Sequence, residues 1–254
     1  MLFVTTVVEV EIFTTDGINL SARSAKDAGT GLEFDCKEKL KEKIIEKYQL
    51  TIKREKIDKI KKLTEEKERC SKAIKLAEEG IKVALISSGE SGFYGMAGLL
   101  LELLQKIKKE YRPFFEVHPG ISSVQLAAAI SGAPLMNDFC SVSLSDKLTP
   151  WSLIEKRIEG ALMGDFVIAL FNPQSIERNW QLKSVIDICL QSRRGDTPVL
   201  IARQVGRENQ TKKFFTLNSI PFKKIDMLSI IIIGNSQTTL VDEIFLTPRG
   251  YLQN

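Results

Sequence analysis

A chain of 254 residues with 43% hydrophobic and 27% charged side chains can bury a sizeable core as one large domain or two small ones, which excludes wholesale disorder. Its longest apolar runs, such as MLSIIIIG at 227–234, fall well short of the roughly 20 residues a membrane span requires, so neither a transmembrane segment nor a membrane partner is expected. Net charge is +4, and four scattered cysteines (Cys36, Cys70, Cys140, Cys189) with a single histidine and no CxxC point to reduced thiols rather than a zinc site.

The amino terminus, MLFVTTVVEVEIFTTDG, lacks the basic region and small-residue cleavage site of a secretory signal, and a cytoplasmic protein is expected. Residues 5–13 alternate, with Val8, Val10 and Ile12 on one side, and predict a strand with one polar face. Turn formers without periodicity fill 14–31. Residues 37–62 carry eleven Lys/Arg against five Asp/Glu, a concentration of positive charge in a chain whose net charge is only +4. A basic helix of this kind could bind nucleic acid or an anionic membrane. Its glutamates, three to four residues from lysines, equally suit a face turned to water. Tyr48 is its one aromatic, so no nucleic-acid partner is expected.

From Thr64 to Gly80 the spacing of Cys70, Ile74 and Ala77, an acidic first turn and a terminal glycine predict a capped helix. A buried strand, KVALIS, leads into SSGESGFYG (87–95). A helix follows, with Met96, Leu99, Leu100, Leu103, Leu104 and Ile107 on its apolar face. FFEVHPG predicts a strand and ISSVQLAAAISG a small-residue helix. The pattern breaks around APLMNDF, where a domain boundary is expected. Beyond it come helix PWSLIEKRIEGAL, strand DFVIALF, loop NPQSIERN, helix WQLKSVIDICLQ and strands TPVLIARQ and LSIIIIGN. This order predicts α/β architecture with a mostly parallel sheet, and run-like strands imply that both sheet faces are covered.

In open α/β sheets, ligands sit beyond the carboxyl ends of strands. Here SSGESGFYG, HPGISS, FNPQS, RQVGRE and GNSQT each place polar residues with Gly or Pro at a predicted strand exit. The glycines of SSGESGFYG would let backbone approach a ligand closely. There is no GxxxxGK[ST], and Glu90 would repel a phosphate while suiting hydroxyl or ammonium donors. The alternative is a tight turn whose glycines serve only backbone geometry. His118 reads either as a general base or as a packed strand-end histidine. Ser87, Ser88, Ser122 and Ser123 lack a GxSxG elbow, and Asp146 and Asp165 are isolated, so neither a serine nucleophile nor a carboxylate pair is supported.

Taken together, LTEEKERCSKAIKLAEEGIKVALISSGESGFYGMAGLLLEL, HPGISSVQLAAAISGAPLMNDFCSVSLSDKLTPW, DFVIALFNPQSIERNWQL and MLSIIIIGNSQT with TPRGY resemble the precorrin-3B C17-methyltransferases of cobalamin biosynthesis. These are members of the tetrapyrrole methylase family. The resemblance runs from about Leu63 to Tyr251. It implies two αβα domains with a ligand cleft between them, S-adenosylmethionine as cofactor, a tetrapyrrole substrate and a homodimer. The implied reaction is methyl transfer to C17 with contraction of the macrocycle. It divides the chain into a basic segment 1–62, an N-terminal α/β domain 63–137 and a C-terminal α/β domain 138–254.

Carried over onto matching positions, the implied cofactor-binding residues are Gly89, Glu90, Ser91, Tyr94, Ser122, Ser123, Phe171, Asn172, Gly206, Gly234 and Asn235. No metal ligand and no catalytic base are implied. Two departures accompany the match. Glu90 stands where the family has aspartate, and residues 1–62 contain no GxGPG loop after a first strand; DAGTG at 27–31 is the nearest string. Cofactor binding is expected to tolerate that loss better than turnover, and a binding or scaffolding relative is the alternative reading.

Overall fold

The structure, a computed structural model, describes residues 2–6, 12–14 and 66–251. The basic segment 37–62, Val8, Val10 and the DAGTG string lie outside the described residues. The chain divides into two compact units, residues 1–122 and 123–254.

In the first unit, β1 (Leu2–Thr6) and β2 (Ile12–Thr14) precede α1 (Glu66–Glu78), β3 (Val83–Ser87), α2 (Met96–Gln105), a 3-10 turn at Lys109–Tyr111 and β4 (Phe115–Val117). The sheet order is β2-β3-β1-β4. β1 lies between β3 and β4 and runs parallel to both, with Thr6 level with Ser87 and Val4 with Val117. Only β2, on the edge, is antiparallel to its neighbour β3.

Local chemistry explains α1 well. Glu66 and Glu68 sit at its positive N-terminal end. At its other end the Gly80 amide donates to Ala77 and the Ile81 amide to Leu76, a Schellman closure with Gly80 in the left-handed region. Cys70, Ala73 and Ile74 of α1 pack with Leu85 of β3 and Leu100 and Leu104 of α2. All five residues of β3 are buried, the pattern of a covered parallel strand.

The second unit begins with α3 (Ser123–Ser131) and β5 (Gly132–Ala133), then β6 (Phe139–Ser143), α4 (Trp151–Met163), β7 (Val167–Phe171) and α5 (Gln181–Ser192). β8 (Pro198–Arg203), β9 (Thr211–Thr216), β10 (Ser229–Ile233), β11 (Thr239–Val241) and β12 (Ile244–Leu246) complete it. Its main sheet has the order β6-β7-β10-β8-β9. Here the expected parallel sheet is not found: β6 and β7 are parallel, but β10 is antiparallel to both β7 and β8, and β9 is antiparallel to β8. The reason is connectivity, because parallel neighbours need a long crossover and only a short hairpin joins β8 to β9.

The division after Ser122 falls earlier in the chain than the pattern break at APLMNDF suggests. β5 pairs with β12, which ties the segment after α3 to the carboxyl-terminal strands. The hairpin joining β11 to β12 turns through Asp242 and Glu243, both left-handed, as a two-residue loop of this hand requires. Leu144, Ile154, Ile158, Leu170, Leu182 and Ile231 anchor the core of this unit.

Candidate functional site

In the first unit, β3 delivers its chain into the turn Ser87–Gly95 at the carboxyl end of the parallel strands. Ser87 is buried, and its Oγ has no hydrogen-bond partner among the described residues. Gly89 adopts a φ of 75°, and Tyr94 also enters the left-handed region at 57° with its ring half exposed. The Glu90 carboxylate folds back on its own turn, accepting the Gly92 amide at 2.8 Å through Oε2. Its Oε1 makes no hydrogen bond among the described residues. Ser91 is fully buried and donates from Oγ to the His118 carbonyl at 3.2 Å, tying the turn to the exit of β4.

The Ala97 amide then donates to the Ser91 carbonyl at 3.0 Å and starts α2. Gly95 is obligatory at this approach, because a Cβ there would lie 2.7 Å from the Glu90 carbonyl oxygen. At the exit of β4, His118 Nε2 stands 3.9 Å from Glu116 Oε1. Ser122, buried, closes this unit, and Ser123, partly exposed, opens α3 of the second.

In the second unit, Phe171 ends β7 and Asn172 follows in the left-handed region at φ 50°. The Asn172 side-chain Nδ2 donates to Ser143 Oγ at 2.9 Å, and the Leu144 backbone amide donates to the Phe171 carbonyl at 2.9 Å. The exits of the parallel pair β6 and β7 are thereby joined. Gly206, with φ 75°, lies in the β8–β9 connection, where its amide donates to Gln210 Oε1 at 3.0 Å. Its end of the sheet is the one that Asn172 occupies, since Ser229 at the start of β10 pairs with Arg203 at the end of β8.

The structure does not bring Gly234 and Asn235 to that end. β10 runs antiparallel, and Ile233 pairs with Ile168 and Val199 at the beginnings of β7 and β8. Asn235 is also bonded at both ends of its side chain, by its own turn and by the Asp165 turn. Its amide side chain donates to the Asp165 carbonyl at 3.1 Å, and its Oδ1 accepts from the Gln237 amide and from Thr238 Oγ1, each at 3.0 Å. Gly234 has a packing reason, since a Cβ there would fall 2.6 Å from Thr238 Cβ. The GNSQT turn is thus a satisfied structural element.

In the second unit, two arginines with buried side chains are absent from the sequence reading. Arg193 donates to the carbonyls of Gly234, at 2.6 Å, and of Phe166, and it lies 3.8 Å from Asp165. Burial lowers its pKa, partly offset by Cys189, Asp165 and Cys140. Arg178, in NPQSIERN, is 6% exposed and donates to the Leu144 and Asn172 carbonyls at 3.1 and 3.0 Å. Nearby, Gln181 donates to Asp146 Oδ2 at 3.0 Å, and its buried Oε1 is left without a partner. Neither arginine has a periodic marker in the sequence, and only three-dimensional packing buries them.

Burial pushes the Cys70 and Cys189 thiols up to about 11 and raises that of Cys140, so none is poised as a thiolate. The described residues contain no group of three His, Cys, Asp or Glu able to hold a metal ion.

The model of the family Tetrapyrrole (Corrin/Porphyrin) Methylases matches residues 32–221, so the match takes in the basic segment as well. The chain is 46% identical over 172 residues to a "Probable cobalt-factor III C(17)-methyltransferase" of Salmonella typhimurium, covering 68% of this chain and 70% of that protein. It is also 46% identical over 174 residues to the "Cobalt-factor III methyltransferase" of Priestia megaterium, covering 68% of this chain but only 32% of that longer protein. Among solved structures it is similar to the methyltransferase CobJ, with a TM-score of 0.69, 32% identity and coverage of 79% of this chain and 82% of that one. By the extent of the family match and by these likenesses, the chain belongs to the tetrapyrrole methylases.

Proposed function

We propose that this chain is an S-adenosylmethionine-dependent C-methyltransferase acting on C17 of precorrin-3B, or of its cobalt-containing equivalent, with contraction of the macrocycle, in cobalamin biosynthesis. The observation that carries this reading is the 46% identity to a protein named for C17 methylation, over 68% of this chain. Two relatives of that identity are named for cobalt-factor III, which favours the cobalt-containing substrate.

The chain's own residues suit the cofactor. Among the described residues, Ser87 Oγ is a buried hydroxyl without a partner and Glu90 Oε1 an acceptor without one. Such acceptors match the ribose hydroxyls or the ammonium group of the cofactor, and the left-handed Gly89 exposes backbone beside them. We assign cofactor contacts to Gly89, Glu90, Ser91 and Tyr94, to Ser122 and Ser123, and to Phe171, Asn172 and Gly206. Gly234 and Asn235 are assigned to structure.

The cofactor supplies a methyl group on a sulfonium that is already a good leaving group. The protein's task is to hold donor and acceptor in line and to exclude water, which needs neither a covalent nucleophile nor a metal. The family resemblance supports a homodimer working in the cytoplasm. No helix of the described residues is long and apolar enough to cross a membrane.

The test is incubation with methyl-labelled cofactor and each form of the tetrapyrrole. One methyl group gained at C17 is expected. Cofactor turnover without methylated tetrapyrrole, or no turnover by folded protein, would contradict the assignment. Sedimentation at assay concentration reads the dimer separately.

A further inference from the structure

Arg178 is a cation buried without an anion. It is 6% exposed, and no carboxylate of the described residues lies within ion-pair distance. Its guanidinium is met by three neutral acceptors: the Leu144 carbonyl at 3.1 Å, the Asn172 carbonyl at 3.0 Å and the Met227 thioether at 2.8 Å. Burying a guanidinium is costly unless it is paired, and a thioether is a weak acceptor. Met227 is only partly buried and is intrinsically flexible, so this third acceptor can be displaced.

The location is also suggestive, because the two carbonyls lie just beyond the ends of β6 and β7, where ligands of α/β sheets bind. The loop around Arg178 is well braced. The Ser175 amide donates to the Arg178 carbonyl at 2.9 Å and the Arg178 amide to the Ser175 carbonyl at 3.2 Å. The ring of Trp180, which follows this loop, packs edge-on to that of Trp151 at 4.8 Å. The guanidinium is therefore held in place before any ligand arrives.

We propose that Arg178 is a carboxylate-binding residue: a ligand carboxylate displaces the Met227 thioether and takes the guanidinium edge that it occupies. This inference rests on the methyltransferase reading, which offers two sources of one chemistry. The cofactor carries an amino-acid carboxylate, and corrinoid precursors carry acetate and propionate side chains. Either forms charge-assisted bonds to arginine that a thioether does not match.

Met227→Glu separates this role from a merely structural one, because it places a carboxylate of the chain itself against the guanidinium. Three probes are titrated by calorimetry: S-adenosylhomocysteine, 5′-methylthioadenosine, which lacks the carboxylate, and a porphyrin octacarboxylate. The expected result is a raised unfolding temperature, affinity for one carboxylate ligand lowered about tenfold or more, and unchanged affinity for methylthioadenosine. A loss confined to S-adenosylhomocysteine identifies the cofactor as the source, and one confined to the porphyrin identifies the substrate. Arg178→Gln should show the same ligand pattern without the gain in stability; if it does not fold, Met227→Glu still decides. Unchanged binding of all three probes overturns the proposal, as does equal weakening of all three, methylthioadenosine included. Wild-type protein that binds none of them contradicts the methyltransferase reading, and this assignment with it.

Discussion

Two glycine-containing turns, Ser87–Gly95 after β3 and Gly234–Thr238 after β10, look alike in sequence and differ in what they do with their polar atoms. In the second, both ends of the Asn235 amide are bonded, Thr238 Oγ1 meets Thr247 Oγ1 at 2.8 Å, and Arg193 accounts for the Gly234 carbonyl. In the first, a buried hydroxyl on Ser87 and one oxygen of Glu90 have no partner among the described residues. Strand direction makes the difference: β3 ends beside the end of its parallel neighbour β1, whereas β10 ends beside the beginnings of β7 and β8. A polar turn is a candidate site when its inventory is incomplete, and the satisfied turn is architecture.

That contrast can be broken by mutation. The largest effect is expected from Arg193→Met, which strips the donor from the Gly234 and Phe166 carbonyls. Thermal or denaturant unfolding should show a loss of about 2–4 kcal/mol, with cofactor affinity of the folded fraction unchanged. Next is Glu90→Ala, which should lower affinity for S-adenosylhomocysteine ten- to a hundredfold, or about 1.5–3 kcal/mol, with little change in stability. Asn235→Ala should do the reverse, costing about 1–2 kcal/mol of stability and leaving affinity intact. If Asn235→Ala weakened the cofactor as much as Glu90→Ala, the division between the two turns would collapse.

The smallest effect concerns pH. Burial opposes ionisation of Asp226, but hydrogen bonds from Arg203, Ser229 and the Leu228 amide outweigh it and hold its carboxyl below the usual range. A depressed folded pKa means that this contribution is present above the unfolded value near ~3.9 and is lost as pH falls through the folded value. The Arg203–Asp226 pair is partly exposed, with side-chain exposures of 38% and 43%, so screening limits it. Asp226→Asn should cost no more than about 0.5 kcal/mol at pH 7, and the difference from wild type should vanish in acid. A constant difference across pH would assign the effect to packing.

The helices and the buried strands were legible in the sequence because each carries its own period or cap. The spacing of Cys70, Ile74 and Ala77 with Gly80 at the end places α1, and uninterrupted apolar runs place β3, β7 and β10. Several elements escaped that reading, β5 (Gly132–Ala133) and β6 (Phe139–Ser143) beside the pattern break among them. β9, TKKFFT, is an edge strand whose Lys212 and Lys213 mask the pattern, and such charges are what keep an edge from pairing further. The β11–β12 hairpin turns on Asp242 and Glu243 rather than on a glycine pair. Strand direction was misread in the second unit, since apolar runs look alike in parallel and antiparallel positions. For the candidate site, SSGESGFYG was visible through its glycines, while Arg178 was not, because burial of a loop arginine leaves no trace in spacing.

The central claim is tested most directly by calorimetric titration of S-adenosylhomocysteine into the purified chain, freed of any that copurified, beside its Glu90→Ala and Asn235→Ala variants. The account predicts saturable one-site binding by the wild type, a loss with Glu90→Ala and none with Asn235→Ala. No binding by demonstrably folded wild-type protein would contradict it.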